Sequence, residues 1–563
     1  MPIDLMTLRG ENMRGIPWQV HPKPQMKRSS WMNLNGGWDY SVNYENKGLI
    51  RVPFCPESRL SGMGTHFEEG SLLSYTRSFT LPEGFHRGRV LLHIGAADQR
   101  ADVFVNGKPV GTHKGGYEAF SIDITEYLKE ENRVQIICFD DLEDQAYPYG
   151  KQVLPEKRGG MWYTPVSGIW QTVWMESVPE TYVKKLNIEN RGASVTIDTG
   201  DESLSGTITV AGLGTFSFIG GKITITPETP HFWSPDDPYL YEFTLEAGDD
   251  RIESYFALRT LEVKKVGNHL RLCLNGKPIF FHGLLDQGYW PDGIFTPASP
   301  ENYAEDILAM KKLGFNTLRK HIKVEAEEFY YQCDKLGMII WQDMVNNSDY
   351  NFLRDTGLPT AGILSLPDKN MHRDQLHRTR FLMGMIKTVM QLKNHPSILY
   401  WTIFNEGWGQ FDADYVFEEF KKLDDTRFVD ATSGWFLREK SDVDSRHVYF
   451  RKVKLAGNGK KPLVLSEFGG KTYRAEGHVF NPDKTYGYGG CENLQQLGEV
   501  VAKLYLDEIL PCIKNGLCAA IYTQVSDVED EINGLLTYDR KIEKLTPETM
   551  LPVAEALYAA IEG

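Results

Sequence analysis

Cysteine is scarce in this sequence, and its spacing forms no metal-site pattern. The 563 residues include seven cysteines, an odd number. Cys512 and Cys518 lie closest together, but no second pair or histidine partner follows as in a zinc site. Disulfide scaffolds are dense in cysteine and form in oxidising compartments. We therefore expect reduced thiols, no metal centre and a cytoplasmic protein.

Long apolar runs and an excess of positive charge are also missing. No stretch approaches the roughly 20 apolar residues of a membrane span. The first segment, MPIDLMTLRGENMRGIPWQV, has no basic region followed by an apolar one, so we expect no signal peptide. The formal net charge is −15, and a diffuse acidic surface argues against a nucleic-acid partner.

Short strands dominate the first part of the chain. Alternating apolar and polar residues run through GRVLLHIGAADQRADVFVNGKPVGTHKGG, with a hairpin signal at Asn106-Gly107. The polar, aromatic segment YPYGKQVLPEKRGGMWYTPVSG reads as a long loop. Closely spaced strands follow from Pro179, as in an immunoglobulin-like sandwich. We predict domains at residues 1–178 and 179–265.

The pattern changes to alternating strands and helices after residue 265. Pro300 and Glu301 mark a helix start, Gly314 marks its end, and the strand FNTLR follows. The segment EAEEFYYQCDKLGMIIWQD repeats this plan. Tandem units of this kind indicate parallel strands with crossover helices. Residues 266–563 are long enough for a (β/α)8 barrel, the third predicted domain.

Two glutamates follow apolar strands of this predicted barrel. SILYWTIFNEGWG ends its apolar run at Asn405-Glu406, and PLVLSEFGG ends at Glu467. Active-site residues of such barrels lie at the carboxyl ends of the strands. Two carboxyl groups at one mouth are the apparatus of glycoside hydrolysis, in which one protonates the leaving oxygen and the other stays ionised. A lone glutamate there would more simply cap a helix or pair with an arginine.

Several segments resemble glycoside hydrolase family 2, the family of β-galactosidases, β-glucuronidases and β-mannosidases. WMNLNGGWDY, ADVFVNGKPVGTHKGGYEAFSIDIT and GIWQTVWMESVP resemble the opening, core and end of its sugar-binding jelly roll. FALRTLEV resembles the end of its sandwich domain, HPSILYWTIFNEGWG its acid/base signature and SEFGG its nucleophile signature. The segments occur in the family's order over nearly the whole chain. The resemblance implies a jelly roll, an immunoglobulin-like sandwich and a (β/α)8 barrel.

The resemblance also implies residue roles. Glu406 would be the acid/base and Glu467 the nucleophile of a retaining double displacement, with carboxyl groups about 5–5.5 Å apart. Asn405 would hold the 2-hydroxyl of the sugar, Arg319 would brace the nucleophile, and Tyr449 in HVYF would help to set its ionisation. The implied substrate is a β-glycoside or oligosaccharide, and the reaction needs no cofactor. A homo-oligomer is compatible with the sequence.

The sequence departs from the family where the sugar is recognised. Arg319-Lys320-His321-Ile322-Lys323 replaces the usual Arg-x-Ser-His. Many glucuronidases grip the sugar carboxylate with Asn-x-Lys, but EINGLLTYDR places Asn533 and Leu535 there, and YTQVSD replaces the usual tryptophan after strand eight. Lys320 and Lys323 can be read as a substitute grip for a uronide, or as lysines paired with Glu325 and Glu327. His321 is expected to hydrogen-bond in the pocket.

Other polar and aromatic residues follow the predicted strands. Asp286, Asp343 and Trp435 are candidate sugar contacts, against the alternatives of a turn aspartate and a core tryptophan, and Trp290 is a similar case. The acidic run Asp527, Glu529, Asp530 and Glu531 suggests a solvated face. In the jelly roll we expect structural roles for the remnants of an ancestral sugar site, Asp98, Arg100, Tyr117 and Glu118.

The sequence predicts a retaining exo-β-glycosidase acting on a β-uronide, either a glucuronide or a galacturonide. A neutral β-galactoside is the alternative within the enzyme class. Outside that class, the same three domains could form a catalytically silent carbohydrate-binding protein. The presence of both Glu406 and Glu467 argues against the silent protein.

Overall fold

A computed structural model describes residues 4–360 and 367–562. It shows the three-domain architecture that the sequence predicts: an N-terminal β-sandwich, an immunoglobulin-like domain and a barrel. The domain boundaries at residues 178 and 265 stay predictions, and the second falls inside the strand Leu261–Val266. All seven cysteines are free. Within the described ranges, no helix combines the length and apolar character needed to cross a membrane.

The N-terminal domain packs antiparallel sheets around a core of its own. One sheet orders the strands Trp31–Asn33, Val173–Val178, Arg89–Ile94 and Phe120–Asp123. The other orders Glu45–Val52, Gly36–Val42, Leu72–Phe79, Asn132–Phe139, Arg100–Val105 and Lys108–Lys114. Gly168–Ile169 pairs with Ala97–Asp98. The predicted hairpin turn at Asn106-Gly107 lies between two paired strands and is confirmed.

The second domain is a seven-stranded antiparallel sheet folded around its own apolar cluster. Its strands, in sheet order, are Asn187–Arg191, Ser194–Asp198, Lys222–Ile225, Gly214–Ile219, Ser205–Val210, Tyr241–Ala247 and Asp250–Phe256. A three-stranded meander, Leu261–Val266, His269–Leu274 and Lys277–Pro278, then leads to the barrel. Its Leu272 and Leu274 belong to the apolar cluster of residues from the barrel strands.

Eight parallel strands form the barrel. We label them β1 (Phe281–Asp286), β2 (Thr317–Lys320), β3 (Ile339–Asp343), β4 (Ile398–Asn405), β5 (Phe428–Ser433), β6 (Asp444–Val448), β7 (Leu463–Gly469) and β8 (Leu517–Thr523). The sheet order is 5-4-3-2-1-8-7-6. Close approaches between β5 and β6 bring the two ends of this order together.

Helices cover the barrel unevenly. The long ones are α1 (Glu301–Lys312), α2 (Glu327–Leu336), α3 (Gln375–Leu392), α4 (Ala413–Leu423), α5 (Leu494–Leu504) and α6 (Pro547–Glu562). Pro300 caps α1 as predicted. Within the described residues, the connections after β5 and β6 contain no helix. The second of these connections, FRKVKLAGNGKKP, is short, basic and glycine-rich, which disfavours one.

Short helical turns complete the chain. They are Leu8–Asn12, Arg59–Ser61, Thr125–Tyr127, Pro155–Lys157, Leu353–Gly357, Leu358–Thr360, Asp368–Asn370, Tyr505–Ile509 and Leu510–Lys514. A small ladder joins Thr472–Tyr473 to Gly490–Cys491. Pro155–Lys157 lies in the long loop predicted between Tyr147 and Gly168, and this loop extends from the N-terminal domain to the barrel mouth.

Candidate active site

Arg319 ties together the strand ends in the middle of the barrel. Successive side chains of a strand point to opposite faces, and Arg319 of β2 points inward. It is fully buried. Its Nε lies 3.0 Å from Asp343 Oδ1, its Nη1 3.1 Å from Glu467 Oε1 and its Nη2 2.8 Å from Asn405 Oδ1. We call Arg319, Asp343, Asn405 and Glu467 the inner cluster. The guanidinium fork thus fixes Glu467 relative to three other strands.

Glu467 is held in the ionised form by its neighbours. The Tyr449 hydroxyl donates to its Oε2 at 2.5 Å, and Arg319 donates to its other oxygen. Burial alone would raise the pKa of Glu467. The charges of His447 and Arg319, together with the Tyr449 hydrogen bond, instead lower this pKa to about 2. Glu467 is therefore a carboxylate at neutral pH, as a nucleophile must be.

Glu406 has the opposite electrostatic setting. Burial and the nearby charge of Glu467 raise the pKa of Glu406, and His447 only partly offsets them. The residue has a left-handed backbone at φ 53°, a conformation that is uncommon outside glycine. This bend directly follows β4, so the side chain turns at the strand end. Two neighbouring carboxyls whose pKa values are driven apart are the arrangement that acid–base catalysis requires.

His447, which the sequence analysis did not select, lies between the two glutamates. Its Nδ1 is 2.8 Å from Glu406 Oε1 and 3.6 Å from Glu467 Oε2. Its Nε2 is 3.0 Å from the hydroxyl of Ser433, a bond that joins β5 to β6. Gly434 makes room for the ring, because a Cβ there would lie 2.7 Å from Nδ1. The segment HVYF could have indicated His447 as a site residue. It lies two residues before Tyr449, and side chains two apart along a strand point to the same face.

The two carboxyl groups are close together. One oxygen of Glu406, one of Glu467 and a ring nitrogen of His447 all lie within 4.8 Å of one another. In the described part of the chain, this is the one group of three or more acidic, histidine or cysteine side chains with spacing suited to a metal ion. From the sequence we predicted no metal site, and His447 was not among the ligands considered. The same spacing also fits two carboxyls that act on one sugar carbon.

Asn405 and Trp435 complete the floor of the site. Asn405 Oδ1 is occupied by Arg319, whereas its buried Nδ2 has no partner within the described residues. That amide is therefore free to donate to a sugar hydroxyl. The half-buried indole of Trp435 donates to the Glu406 carbonyl at 3.1 Å and meets His447 edge-on. Asn405, Tyr449 and Trp435 thus lie around the carboxyl pair, where the sequence analysis expected them.

His321 and Asp343 support Arg319. His321 Nδ1 lies 2.7 Å from Asp343 Oδ2, and the other oxygen of Asp343 receives Arg319. Burial, followed by the charge of Lys151, lowers the pKa of His321 to about 4, so its ring is neutral at pH 7. Both oxygens of Asp343 are thus engaged by protein donors. We assign Asp343 to positioning Arg319 and His321, in place of the direct sugar contact expected from the sequence.

The structure does not bring Lys320 and Lys323 to the sugar. Lys320 points outward from β2 and lies over the Phe329 ring of α2. Its Nζ is 2.7 Å from Asp286 Oδ2 and 3.0 Å from Glu325 Oε1. Lys323 donates to Glu325 and to the carbonyls of Gly288 and Phe295, which uses all three of its N–H groups. We call Lys320, Lys323, Asp286 and Glu325 the outer cluster.

The outer cluster corrects three expectations. Lys320 and Lys323 do not form the predicted uronide grip, because strand alternation and the turn at Ile322 direct them to protein acids. Asp286 also departs from the expected sugar contact: it accepts from Lys320 and from the Gly288 amide. Both lysines instead pair with Glu325, which was the alternative to the uronide grip.

The acidic run after β8 is buried, contrary to the solvated face expected from the sequence. Its four members, Asp527, Glu529, Asp530 and Glu531, are each no more than 3% exposed. Asp527 pairs with Lys544 at 2.6 Å. Glu529 accepts from the Thr164 amide at 3.0 Å, and Glu531 accepts from the Tyr163 hydroxyl. The run is buried because the loop from the N-terminal domain packs over it.

Trp290 and the ancestral sugar-site residues have packing roles. Trp290 lies in the main core, edge-on to Tyr303. Asp98 accepts from Gln152 at 3.1 Å, and the Tyr117 hydroxyl donates to the Tyr149 carbonyl at 3.1 Å. Both contacts fix the loop. Of the other two jelly-roll residues named from the sequence, Arg100 pairs with Asp102 and Glu118 is buried.

The same loop brings an aromatic wall to the barrel mouth that the sequence analysis did not identify. Trp162 stacks on Trp408 with ring centroids 5.3 Å apart and meets Tyr350 edge-on at 5.0 Å. Trp408 follows Glu406 by two residues. Aromatic faces of this kind suit the apolar faces of sugar rings. Only the spatial meeting of three distant segments reveals the wall, so no local pattern indicates it.

Comparisons with known proteins agree with this fold and site. Three models of glycosyl hydrolases family 2 match the chain: the sugar binding domain at residues 65–179, the family's middle region at 180–259 and the TIM barrel domain at 265–544. The chain belongs to this family. Its sandwich, immunoglobulin-like and barrel domains are therefore the family's three-domain architecture.

Curated relatives are distant. A β-galactosidase of Thermoanaerobacter pseudethanolicus is 24% identical over 81% of this chain and 63% of its own length. A β-glucuronidase of Bacteroides fragilis is 22% identical over 66% of this chain and 56% of its own length. The chain thus spans between about half and two thirds of these relatives.

Solved structures share the fold over almost their whole length. A β-D-glucuronidase of Dictyoglomus thermophilum superposes with a TM-score of 0.72 at 18% identity, covering 95% of this chain and 98% of that one. A β-galacturonidase of Eisenbergiella tayi, bound to galacturonate, gives a TM-score of 0.67 at 18% identity, covering 96% and 99%. At this identity the likeness concerns the fold.

Proposed function

We propose that the chain is a retaining exo-β-glycosidase that uses Glu406 and Glu467. The observation that carries this proposal is the carboxyl pair: one oxygen of Glu406 lies within 4.8 Å of one oxygen of Glu467, and the pKa of Glu406 is raised while that of Glu467 is lowered to about 2. Inverting enzymes place a water between carboxyls about 6.5–9.5 Å apart, whereas retaining enzymes hold them about 5–5.5 Å apart. The observed spacing supports the retaining geometry.

The reaction follows from these protonation states. Protonated Glu406 gives its proton to the leaving oxygen while the Glu467 carboxylate attacks the anomeric carbon, and a glycosyl-enzyme forms. Arg319 and Tyr449 hold Glu467 for the attack. Glu406, now ionised, then takes a proton from water, which releases the sugar with its original configuration. The free amide of Asn405 is placed to hold a sugar hydroxyl near the reacting carbon.

For the sugar we propose a β-uronide, with a neutral β-galactoside as the second candidate. Solved structures of similar fold include a β-galacturonidase and β-glucuronidases, whereas the curated relatives include β-galactosidases. The β-galacturonidase and β-glucuronidase structures support the uronide, and the β-galactosidase relatives support the neutral galactoside. The outer cluster no longer supports the uronide, so the choice depends on other groups at the mouth.

A panel of nitrophenyl β-glycosides tests this proposal. It should include galactose, glucose, mannose, glucuronate and galacturonate, with Glu467→Gln as the blank. We expect release of nitrophenol from at least one uronide by the wild type and none by the variant. A wild type that cleaves none of the five, but binds the free sugars, would support the silent binding protein instead.

A further inference from the structure

Lys151 is a buried lysine in the loop that the N-terminal domain extends to the barrel mouth. It is 7% exposed. The backbone on either side is fixed: the Asn346 side chain donates to the Gly150 carbonyl at 3.4 Å, and Gln152 donates to Asp98 and Tyr117 at 3.1 Å. The position of Lys151 is therefore set by both domains.

The ammonium of Lys151 has no anionic partner in the protein. Within residues 4–360 and 367–562 it meets no carboxylate and no hydrogen-bond acceptor, and its recorded contact is the face of Tyr163, 5.6 Å from the ring centroid. Lys320 and Lys323, equally buried, each have a carboxylate within 3.0 Å. The side chain of Lys151 is thus largely buried, while its ammonium is left without a protein acceptor. Such a group calls for an anion from outside the chain.

The charge of Lys151 acts on the active site. It lowers the pKa of His321, after the larger effect of burial, and it is among the groups that lower the pKa of Glu406. The neighbouring Tyr163 donates to Glu531, which in turn accepts from Asn533 at 2.9 Å. Lys151 thus lies near the carboxyl pair and, through Tyr163 and Glu531, near the segment after β8. At the position of the lysine that glucuronidases use in that segment, Leu535 is instead part of the core.

We propose that Lys151 binds the carboxylate of a β-uronide substrate, so that the N-terminal domain supplies the charge that selects the sugar. This inference rests on the proposed glycosidase function. A uronate would give the buried ammonium the partner it lacks, through a charge-assisted hydrogen bond in a site of low dielectric. A neutral hexoside would leave the ammonium unpaired. Lys151 would then discriminate between sugars without touching the reacting atoms.

The test compares kcat/KM for a nitrophenyl β-uronide and the matching β-hexoside in three variants. Lys151→Met removes the charge at similar length, Lys151→Arg retains it, and Lys157→Met alters an exposed lysine of the same loop. For Lys151→Met we expect a loss on the order of 100-fold on the uronide and less than about threefold on the hexoside. Lys151→Arg should keep part of the uronide preference, and Lys157→Met should match the wild type.

Binding of free sugars gives a second readout that does not depend on turnover. Galacturonate and glucuronate should raise the melting temperature of the wild type more than galactose and glucose do, and Lys151→Met should abolish that difference. Lys151→Met without ligand should melt close to the wild-type temperature, since the ammonium forms no ion pair or hydrogen bond that the substitution removes.

The outcomes separate the two proposals. Equal losses of kcat/KM on uronide and hexoside in Lys151→Met, or an unchanged uronide rate, would overturn the role of Lys151 and leave the glycosidase proposal intact. A wild type that prefers the hexoside by a wide margin would do the same. If no β-glycoside is cleaved, the glycosidase proposal fails, and the free-sugar melting shifts still decide whether Lys151 recognises a carboxylate.

Discussion

The inner and outer clusters lie on opposite sides of the same strand and have similar composition. Each contains buried acids and bases, and Arg319 and Lys320 are adjacent in sequence. The inner cluster holds Glu467 in the barrel mouth. The outer cluster sits between strand and helix, where Glu325 accepts from both lysines and Asp286 accepts from Lys320. Strand alternation at Arg319 and Lys320, followed by the turn at Ile322, separates the inner cluster from the outer one.

The difference lies in how completely the donors and acceptors are used. Every N–H of Lys323 has an acceptor in the protein. In contrast, two hydrogen-bond donors around the inner cluster have no acceptor. The Asn405 amide and the Lys151 ammonium lack partners within the described residues. Unused polar groups in a buried site indicate a ligand better than charge density does.

Glu467→Gln should remove the nucleophile and lower kcat by at least about 10⁴-fold on every substrate. The amide oxygen can still accept from Arg319, and the amide NH2 can donate to the Tyr449 hydroxyl oxygen, so the fold should persist. Steady-state assays with aryl β-glycosides measure the loss, and the melting curve checks the fold. A variant that stayed active on any aryl glycoside would show that the inner cluster does not supply the nucleophile.

Glu406→Gln should depend on the leaving group. General acid catalysis contributes about 10²–10⁴-fold, and poor leaving groups need it most. Alkyl glycosides should therefore lose far more activity than nitrophenyl glycosides, which need little protonation and should show a burst of phenol. Comparing kcat across a series of aglycones measures this trend. Equal losses across the series would remove Glu406 from the acid role.

Lys320→Met should affect stability and leave catalysis unchanged. Removing one member of a buried ion cluster costs about 3 kcal/mol, because the acids Asp286 and Glu325 lose a counter-charge. Lys312→Met, an exposed lysine of α1 that pairs with Glu543, should cost less than about 1 kcal/mol. Melting curves and kcat/KM on both sugars provide the comparison. A loss specific to the uronide in Lys320→Met would restore the sugar-binding role that the structure takes from the outer cluster.

His447→Asn should move the pH profile of kcat/KM upward. His447 lowers the pKa of both Glu406 and Glu467, so removing it raises both. Glu467 must be ionised, so the acidic limb moves to higher pH, and Glu406 must be protonated, so the basic limb moves the same way. We expect a shift of about one pH unit. His86→Asn, at an exposed position, is the control, and opposite movements of the two limbs would contradict this assignment.

Much of the fold could be predicted from the sequence. The period-two strands, the turn at Asn106-Gly107 and the helix start at Pro300 are local signals, and the structure confirms them. The connections after β5 and β6 were harder, because a barrel template suggests a helix after every strand. Both connections are short, and the one after β6 is also basic and contains glycine, which disfavours a helix.

The site could be predicted only where residues project from strand ends along the chain. Glu406 and Glu467 were found because each ends an apolar run, and Arg319 was implied by the family resemblance. His447, Trp162 and Lys151 were not, since their importance arises from contacts between distant segments. Lys320 was wrongly placed in the pocket because it is adjacent to Arg319 in sequence. Neighbouring residues of a strand point in opposite directions, so Lys320 faces away from Arg319.

The anomer of the first-formed product distinguishes double displacement from direct displacement by water. Proton NMR during the early turnover of a β-glycoside distinguishes the two anomers before mutarotation mixes them. Double displacement at Glu467 with Glu406 as acid and base predicts the β-anomer first. An α-anomer as the first product would contradict the retaining arrangement of the two glutamates.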